Sequence, residues 1–546
     1  MSLHTCLSRR AFVKLASAAG VSMGFGPMFL PGSSAGHGTV APYPVPSVYR
    51  DKLSAKYRLI VNGHIVPVLR FVGRSGFIHT AQFVLDGAAK VSVQADGEIQ
   101  SYELGPINSF KSAKASGESL QFDIAGPSYL ILQVNRDKEL LCILAEPPET
   151  GAPDRSGPNV IDVSKEGIDS TGQRLMTTQV QGAIDRSAAI PGGVVYFPPG
   201  AYRIGTIELR DNTNLYLAGG AALIGSANEK DFLATGAQER GSKGHMTTTT
   251  LVHANGKRNV RLFGRGVLDG NAWECMATDQ FRTALNVVGC NGVRIEGITQ
   301  TNSNSWTAVG YSRDVTIQGL KSLHDTMISE VDALDICNCS NVDISHSLLM
   351  GGDDSFCVKA GHAQDEGGTG MASTWGYRGK SSSPENITLR DSVLFSGASA
   401  IKIGIQAFSD IRNITCRNLD IVRGRRGLSI THEQGNATME RIVLENVRID
   451  QIQEMRPYHI SNCPISISFG RLSTGIIRDV ALRNVTIRDW GPSHSGINDA
   501  GGVVDNVQFE NVTIAGVPVT SAQSGHIDVI GKVGHLRFSQ AQNPGK

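Results

Sequence analysis

Short runs in which apolar and polar residues alternate recur through the second half of the chain. Each run starts with a turn-forming residue, most often Asn or Asp, and continues as apolar-x-apolar; the nine copies begin at Asn259, Gly292, Asp314, Asn341, Asn386, Asn413, Arg441, Asp479 and Asn506. Strict alternation is typical of a half-buried β-strand. Neighbouring copies lie 22 residues apart from Val293 to Val315 and 27 from Val315 to Val342. A repeat of this length is typical of a solenoid.

These repeats predict an all-β fold, a right-handed parallel β-helix, over residues 157–546. A leucine-rich repeat is the alternative, but its leucine-asparagine signature is absent from the sequence. One longer step, 45 residues from Val342 to Ile387, predicts an inserted loop. We expect the two insertions, Gly361 to Pro384 and Glu454 to Phe469, to border one face of the solenoid.

Helical periodicity is clearest just before the repeats. Residues Thr177 to Ala189 place Val180, Ala183 and Ile184 on one helical face. An open solenoid end would expose strand edges and core residues, so something must cover it. We therefore predict that this helix is an N-terminal cap.

Residues 54–150 show short alternating runs separated by turn signals. Asn62-Gly63 and Asp96-Gly97 are dipeptides that favour tight hairpin turns. About ninety residues of this kind predict a small β-sandwich domain. The preceding segment, 37–53, is rich in Gly, Pro and Ser and is interpreted as a linker.

The first 36 residues have the pattern of an export signal. Arg9-Arg10 precede a moderately apolar run that ends near Leu30, which is the twin-arginine pattern. A transmembrane anchor is the alternative, but Lys14 and several Gly, Ser and Pro residues interrupt the run. We predict a periplasmic or secreted protein without stable membrane insertion.

Charge and cysteine content narrow the function classes. The 546 residues include 51 basic and 50 acidic side chains, a balance that argues against nucleic-acid binding. Nine cysteines occur without metal-type spacing. We expect no metal, no cofactor and a monomer.

Candidate chemistry is concentrated in four aspartates, Asp332, Asp335, Asp353 and Asp354. Asp332 and Asp353 are 21 residues apart, about one solenoid turn, so the two clusters are expected to lie side by side. Glycoside hydrolysis needs one protonated carboxyl and one ionised carboxylate. The alternative is that these aspartates have ordinary turn roles.

Val331-Asp332-Ala-Leu-Asp335-Ile, followed by Gly352-Asp353-Asp354, resembles glycoside hydrolase family 28, the polygalacturonase family of the pectin-lyase-like β-helix superfamily. The resemblance covers residues 157–540. It implies that Asp353 is the general acid and that Asp332 and Asp354 hold and activate water. Asp335 lies three residues past Asp332 and is expected to orient it, to cap a turn or to contact substrate. The β-sandwich resembles domains that precede the solenoid in family 49 dextranases.

Two basic motifs of that family are not matched. Where the family has Gly-His-Gly and Arg-Ile-Lys, this chain has Gly397-Ala-Ser-Ala and Gly427-Leu-Ser-Ile-Thr. Those groups recognise a uronate carboxylate, so the sugar stays open. Lys402, His432 and Trp306 are the other candidate substrate-binding residues, Trp306 by stacking on a sugar ring.

The favoured function is an inverting glycoside hydrolase that acts on a polysaccharide or its oligosaccharides. Inversion generally requires carboxyl groups about 6.5–9.5 Å apart, with a raised pKa on the acid. The alternatives are a dextranase-like hydrolase, a polysaccharide lyase that binds calcium, and a non-catalytic carbohydrate-binding solenoid.

Overall fold

The computed structural model describes residues 38–239, 245–273, 280–329, 331–361, 375–455, 457, 460–470 and 473–540. The predicted export signal lies outside the described residues, as do most of the Gly361 to Pro384 insertion and part of the Glu454 to Phe469 insertion. The chain divides into two compact units. One comprises Met1–Pro42, Ser54–Leu69 and His79–Pro148, and the other comprises Tyr43–Leu53, Arg70–Ile78 and Glu149–Lys546.

Two mainly antiparallel sheets run through the first unit. In the described residues, one has six strands, with bounds Thr39–Pro42, Leu69–Val72, Phe77–Asp86, Tyr102–Gly105, Ser128–Val134 and Leu141–Glu146. The other has five, Tyr57–Val61, His64–Val66, Ala89–Ala95, Lys111–Ser116 and Ser119–Ile124. Residues such as Val91 on one sheet and Leu132 on the other belong to the same buried apolar cluster. A short 3-10 helix spans Ile107–Ser109.

The second unit is a parallel β-helix built from two long sheets. The sheet that carries the candidate site has twelve strands in the described residues: Ile207–Glu208, Ala234–Glu239, His245–Asn255, Gln280–Val288, Ala308–Gly310, Leu334–Cys337, Phe356–Ala360, Ser399–Ala407, Arg426–Gly435, Cys463–Phe469, Ser495–Asn498 and Ile527–Ile530. We call it the site sheet. Apart from Ala234–Glu239, its paired strands run parallel.

The other sheet carries the predicted repeats. Its described strands number twenty-two: Val160–Asp162, Thr171–Leu175, Val194–Phe197, Gly200–Ile204, Asn214–Leu217, Ala221–Gly225, Arg258–Gly264, Val267–Asp269, Asn291–Glu296, Thr299–Thr301, Arg313–Gln318, Lys321–Leu323, Ser340–Ser345, Leu348–Gly351, Glu385–Ser396, Ile411–Arg423, Thr438–Ile449, Ile476–Ile487, Val503–Glu510, Thr513–Ile514, Val517–Pro518 and Leu536–Ser539. We call it the repeat sheet.

The nine sequence repeats stack in register on the repeat sheet, which confirms the prediction of a parallel solenoid. The first apolar residue of each repeat pairs with its counterpart on the next coil, as Val315 does with Val342 and Val342 with Ile387. The turn-forming residue that opens each repeat has a positive φ, between 50° and 72°. Asn, Asp and Gly adopt this left-handed conformation most readily, which explains the pattern.

Side-chain hydrogen bonds also connect these turn-forming residues between coils. Asn341 Nδ2 donates to Asp314 Oδ1 at 3.0 Å, Asn386 donates to Asn341 at 3.2 Å, and Asn413 donates to Asn386 at 2.9 Å. The repeat therefore fixes both the backbone turn and the register from one coil to the next.

An α-helix, Thr177–Ala188, packs on the first coils, as the apolar periodicity predicts. Its buried residues Val180, Ala183 and Ile184 join the apolar core of the β-helix. In the described part of the chain, no helix combines the length and hydropathy needed to cross a bilayer. Further 3-10 helices in this unit span Ser47–Lys52, Val163–Lys165 and Glu229–Asp231.

Residues 43–53, most of the predicted linker 37–53, belong to the second unit. They include the 3-10 helix Ser47–Lys52, in which Tyr49 is buried. The Tyr49 hydroxyl donates a 2.9 Å hydrogen bond to the buried carboxylate of Asp269 in the β-helix. Pro-, Gly- and Ser-rich composition reports turn propensity only, and one aromatic side chain with a buried partner is enough to fix such a segment.

Residues Arg70–Ile78 also belong to the second unit. The backbone N–H of Ser75 donates to Asp325 Oδ2 at 2.9 Å. Gly73 lies against the same carboxylate, where an added Cβ would be 2.5 Å from Oδ2. This turn is therefore fixed on the β-helix beside the loop that follows the Lys321–Leu323 strand.

Candidate active site

Asp332 and Asp354 lie one above the other on successive coils of the site sheet. The backbone N–H of Asp354 donates a 3.0 Å hydrogen bond to Asp332 Oδ1. The N–H of Ser399, on the following coil, donates to Asp354 Oδ1 at 2.8 Å. Each carboxylate thus accepts a main-chain N–H from the next coil, and such charge-assisted hydrogen bonds are stronger than neutral ones.

Asp353 joins this pair because the backbone bends between the strands Leu348–Gly351 and Phe356–Ala360. On a regular strand, consecutive side chains would point to opposite faces. Here one carboxylate oxygen from each of Asp332, Asp353 and Asp354 lies within 4.8 Å of the other two. The carbonyl of Asp353 accepts hydrogen bonds from Ala398 N at 3.0 Å and Ser396 Oγ at 2.6 Å, which fixes the bend.

Gly352 is required for this bend by close packing. A Cβ at this position would lie 2.3 Å from the Asp325 carbonyl oxygen and 2.4 Å from the Ile328 carbonyl oxygen. No side chain fits at such distances without moving the backbone. The glycine of the Gly352-Asp353-Asp354 motif therefore allows the Asp325–Ile328 loop to pack directly against the bend that contains Asp353.

A buried lysine, which the sequence analysis did not single out, completes the cluster. Lys359 Nζ donates to Asp332 Oδ2 and to Asp335 Oδ2, each at 2.8 Å. The Trp306 ring covers the same ammonium, with its centroid 4.7 Å from Nζ. Lys359 pairs in register with Cys337, two residues along from Asp335. Its alternation with Cys357 on one strand was the only sequence signal for it.

The three buried titratable groups, Asp332, Asp335 and Lys359, have pKa values shifted in different ways. Burial raises the pKa of Asp332, but the Lys359 ammonium and the Asp354 N–H outweigh burial and hold that pKa below its usual value. Burial and the neighbouring Asp332 charge raise the pKa of Asp335 to about 8, against the attraction of Lys359. Asp335 Oδ1 has no hydrogen-bond partner among the described residues. Asp332 is therefore the ionised member of the pair, and Asp335 retains its proton near neutral pH.

Burial alone would lower the pKa of Lys359, yet the two carboxylates hold it well above its ordinary value. The ammonium therefore stays charged across the working pH range of any hydrolase. By distance, Asp332, Asp335 and Cys357 form a group that could hold a metal ion. Lys359 already donates to both of those carboxylates, so it supplies the positive charge in that group.

Lys402 and Trp306 lie at the carboxylate cluster. Lys402 pairs in register with Cys357, and its Nζ is 3.8 Å from Asp354 Oδ2. Trp306 is partly exposed and packs edge-on against the buried Trp375, with ring centroids 6.4 Å apart. These two predicted substrate-binding residues thus border the three aspartates.

The other two predicted substrate-binding residues, Asp335 and His432, have their side chains in the protein interior. Asp335 is fully buried beneath Lys359. His432 is also fully buried, stacks on Phe469, and places Nε2 3.0 Å from the Ala437 carbonyl. Phe469, its in-register partner on the next strand, covers it.

The unmatched basic motifs leave small polar residues on the site sheet. Lys402 pairs in register with Ser429, and Gly404 pairs with Thr431. The hydroxyls of Ser429 and Thr431 are 2.8 Å apart and hydrogen-bond to each other. Among the in-register residues Cys357, Lys402 and Ser429, Lys402 is therefore the cationic side chain beside the aspartates.

Comparison with known proteins gives one family match. The model of glycosyl hydrolases family 28 matches residues 226–529, more than half of the chain and all of the carboxylate cluster. An exo-poly-alpha-D-galacturonosidase from Dickeya chrysanthemi is 22% identical over 430 residues, which cover 67% of this chain and 69% of the relative.

Two solved structures share the fold. A hyperthermoactive exopolygalacturonase from Thermotoga maritima has a TM-score of 0.53 at 17% identity and covers 72% of this chain and 94% of its own. Dex49A from Penicillium minioluteum also has a TM-score of 0.53, at 13% identity, and covers 91% of this chain and 96% of its own. At these identities the likeness supports the all-β parallel fold alone.

Proposed function

From the premise that this chain belongs to glycosyl hydrolases family 28, we propose that it is a glycoside hydrolase that cleaves α-linked galacturonides. The observation that carries the proposal is the meeting of Asp332, Asp353 and Asp354, where one carboxylate oxygen from each lies within 4.8 Å of the other two. Hydrolysis of a glycosidic bond needs an acid for the leaving oxygen and a base for water, and carboxyl groups can supply both.

The roles follow from the partners of each carboxyl group. Asp332 receives two donors, Lys359 Nζ and Asp354 N–H, which stabilise it as a carboxylate, and Lys402 Nζ lies 3.8 Å from Asp354 Oδ2. A further negative charge beside Asp332 is unfavourable, so we assign the donated proton to Asp353. Asp353 is also the partly exposed member, which allows it to contact the glycosidic oxygen.

In the reaction, Asp353 donates its proton to the leaving-group oxygen as the bond between that oxygen and the anomeric carbon breaks. A water held by Asp332 and Asp354 attacks the anomeric carbon and gives its proton to one of these two carboxylates. Proton transfer from that carboxylate back to Asp353 through solvent restores the starting state.

We propose inversion of configuration, although the carboxyl separation differs from the one expected. The nearest oxygens are within 4.8 Å, shorter than the roughly 6.5–9.5 Å general for inverting enzymes. Hydrogen bonds support the choice, because both oxygens of Asp332 and Oδ1 of Asp354 already accept donors. Carboxylates stabilised in this way are better suited to hold water than to form a bond to carbon.

The Dickeya relative, an exo-poly-alpha-D-galacturonosidase, supports exo-acting cleavage of galacturonides as the activity. A galacturonide carries one carboxylate per sugar, and Lys402 is the ammonium beside Asp354 that we assign to it. Trp306, partly exposed at the same cluster, is assigned to contact the sugar face. Charge-assisted hydrogen bonds of this kind provide both affinity and orientation.

The test is a reducing-sugar assay of the purified protein on oligogalacturonides, dextran and a panel of neutral polysaccharides. Release of monogalacturonate from oligogalacturonides, with no product from dextran, supports the proposal. Cleavage of dextran or another neutral glycan with none of the galacturonides would overturn the substrate assignment. Binding to a glycan without new reducing ends would favour the non-catalytic solenoid.

We also propose the finer organisation of the chain. The shared apolar cluster of the two N-terminal sheets supports a β-sandwich, and the packing of Thr177–Ala188 supports a helical cap. The Arg9-Arg10 pair supports twin-arginine export of a monomeric enzyme to the periplasm or the medium. Changing both arginines to lysine should leave precursor in the cytoplasm, and unimpaired export of that variant would contradict the signal.

A further inference from the structure

Lys359 is a fully enclosed ammonium group in the wall of the site. It donates to two buried carboxylates at 2.8 Å and lies under the Trp306 ring. Removing an ammonium from water has a large free-energy cost, which close partners must offset. A lysine buried in this way, between one carboxylate that reacts and one that does not, can influence the reaction without touching the sugar.

We propose that Lys359 is a positioning residue of the reaction, which holds Asp332 ionised and in one orientation so that it can accept a proton from water. The proposal rests on the proposed hydrolytic function. Asp332 has a donor on each oxygen, Asp354 N–H on Oδ1 and Lys359 Nζ on Oδ2. These two donors fix the plane of the carboxylate, and Oδ1 retains a lone pair for water.

The groups around Asp332 explain why one ammonium can control its charge. Asp335 lies three residues after Asp332, in the strand Leu334–Cys337, and accepts a hydrogen bond from the same Lys359 ammonium. The Cys357 thiol is 3.7 Å from Asp332 Oδ2. His324 is buried nearby, and burial lowers its pKa to about 4, so it is neutral above that pH. The remaining titratable neighbours are Asp353, Asp354 and Lys402. Without Lys359, the neighbours of Asp332 named here would be mostly carboxyl groups, and Lys402 would be the one cation left among them.

The test is the pH dependence of kcat/KM for Lys359→Met, which keeps side-chain length and removes the charge. The acidic limb of the profile reports ionisation of the base. Loss of an adjacent opposite charge should move that limb upward by about one to three pH units. At a pH below the limb, kcat/KM then falls about tenfold for each unit of the move. A folded Lys359→Met enzyme with the wild-type acidic limb would overturn the proposal.

Two further variants keep the proposal falsifiable if Lys359→Met does not fold. The double variant Lys359→Met with Asp335→Asn removes one buried ammonium and one buried carboxyl together, and it should show the same upward move. Lys359→Arg retains the charge, so its acidic limb should stay at the wild-type pH even if kcat falls. A limb that moves in Lys359→Arg as far as in either Met variant would show that charge is not the cause.

Asp343→Asn is the matched control. Asp343 is a partly exposed carboxylate on the repeat sheet, paired with Arg390 at 3.0 Å, and its loss should leave the profile unchanged. The substrate is whichever glycan the wild-type enzyme cleaves. Failure on galacturonides but cleavage of another glycan would overturn the substrate assignment, while the pH profile on that glycan would still decide the role of Lys359. An enzyme that cleaves no glycan would overturn both.

Discussion

The N–H of Asp354 donates to Oδ1 of Asp332 at 3.0 Å, and this single hydrogen bond aligns two carboxylates on successive coils. The two residues are within hydrogen-bonding reach because each coil of the solenoid is displaced from the next by one strand spacing, about 4.8 Å. The carboxylate cluster is thus built from main-chain geometry, and Lys359 and Lys402 add positive charge beside it.

Asp335 should make stability depend on pH. Its pKa is raised from an unfolded value of 3.8 to about 8, so the folded chain keeps a proton that the unfolded chain loses. The stabilisation is complete below about pH 3.8 and is lost as the pH rises through about 8. Asp335→Asn cannot ionise and retains an oxygen for Lys359. The melting temperature of Asp335→Asn relative to wild type should therefore rise by a few degrees between pH 5 and pH 8.

The measurement is calorimetric melting of wild type, Asp335→Asn and Asp343→Asn across that range. Asp343 is partly exposed and paired with Arg390, so its variant should parallel the wild type. A constant difference between Asp335→Asn and wild type over the whole range would mean that Asp335 is ionised throughout.

Lys402→Met should weaken recognition of an acidic sugar selectively. A hydrogen bond to a charged group contributes about 1.5–3 kcal/mol, so kcat/KM on oligogalacturonides should fall about 10- to 100-fold. On the methyl-esterified substrate, which has no carboxylate charge, the loss should be less than about threefold. Equal losses on both substrates would show that Lys402 acts through Asp354 alone and does not recognise the uronate.

The stereochemistry of the first product should be inverted. A water held between Asp332 and Asp354 attacks the anomeric carbon on the face opposite to the leaving group. An α-linked substrate therefore gives the β-anomer first. Proton NMR within the first minutes of reaction, before mutarotation, measures the anomer directly. Initial α-anomer would indicate a covalent intermediate, in agreement with the short carboxyl separation.

Activity should survive removal of divalent cations. Lys359 provides the charge between Asp332 and Asp335, so hydrolysis needs no metal ion at that pair. Turnover measured after dialysis against a chelator should equal that of the untreated enzyme, and the products should lack the ultraviolet absorbance of an unsaturated sugar. Loss of activity with chelator, together with absorbing products, would favour a calcium-dependent lyase.

The solenoid was predictable from sequence because its repeat has a local cause. A left-handed turn favours Asn, Asp or Gly, and the apolar residue that follows is buried on every coil. Both residue types therefore recur in the sequence with the period of the coil. Arg441 breaks the letter pattern yet has φ 54°, and its Nε donates to Asn413 Oδ1. The proximity of Asp332 and Asp353 was predictable for a related reason, because the two residues are about one coil apart in the sequence.

Other features depend on contacts that no local pattern records. Lys359 lies on a strand whose alternation indicates only an outward side chain, and its two carboxylate partners depend on the register with the preceding coil. His432 has the sequence context of a surface residue, and only Phe469 on the next strand buries it. Residues 43–53 have a linker's composition, and the distant partner Asp269 fixes Tyr49.

The most direct test of the account is the turnover of Asp353→Asn on the glycan that the wild-type enzyme cleaves. The substitution keeps the shape of the side chain but removes the proton donor, so kcat should fall about 10²- to 10⁴-fold. Its melting temperature should match wild type or rise slightly, since one of three adjacent acidic groups is removed, and Asp343→Asn should retain full turnover. Near-normal turnover of Asp353→Asn would contradict the assignment of the carboxylate cluster as the active site.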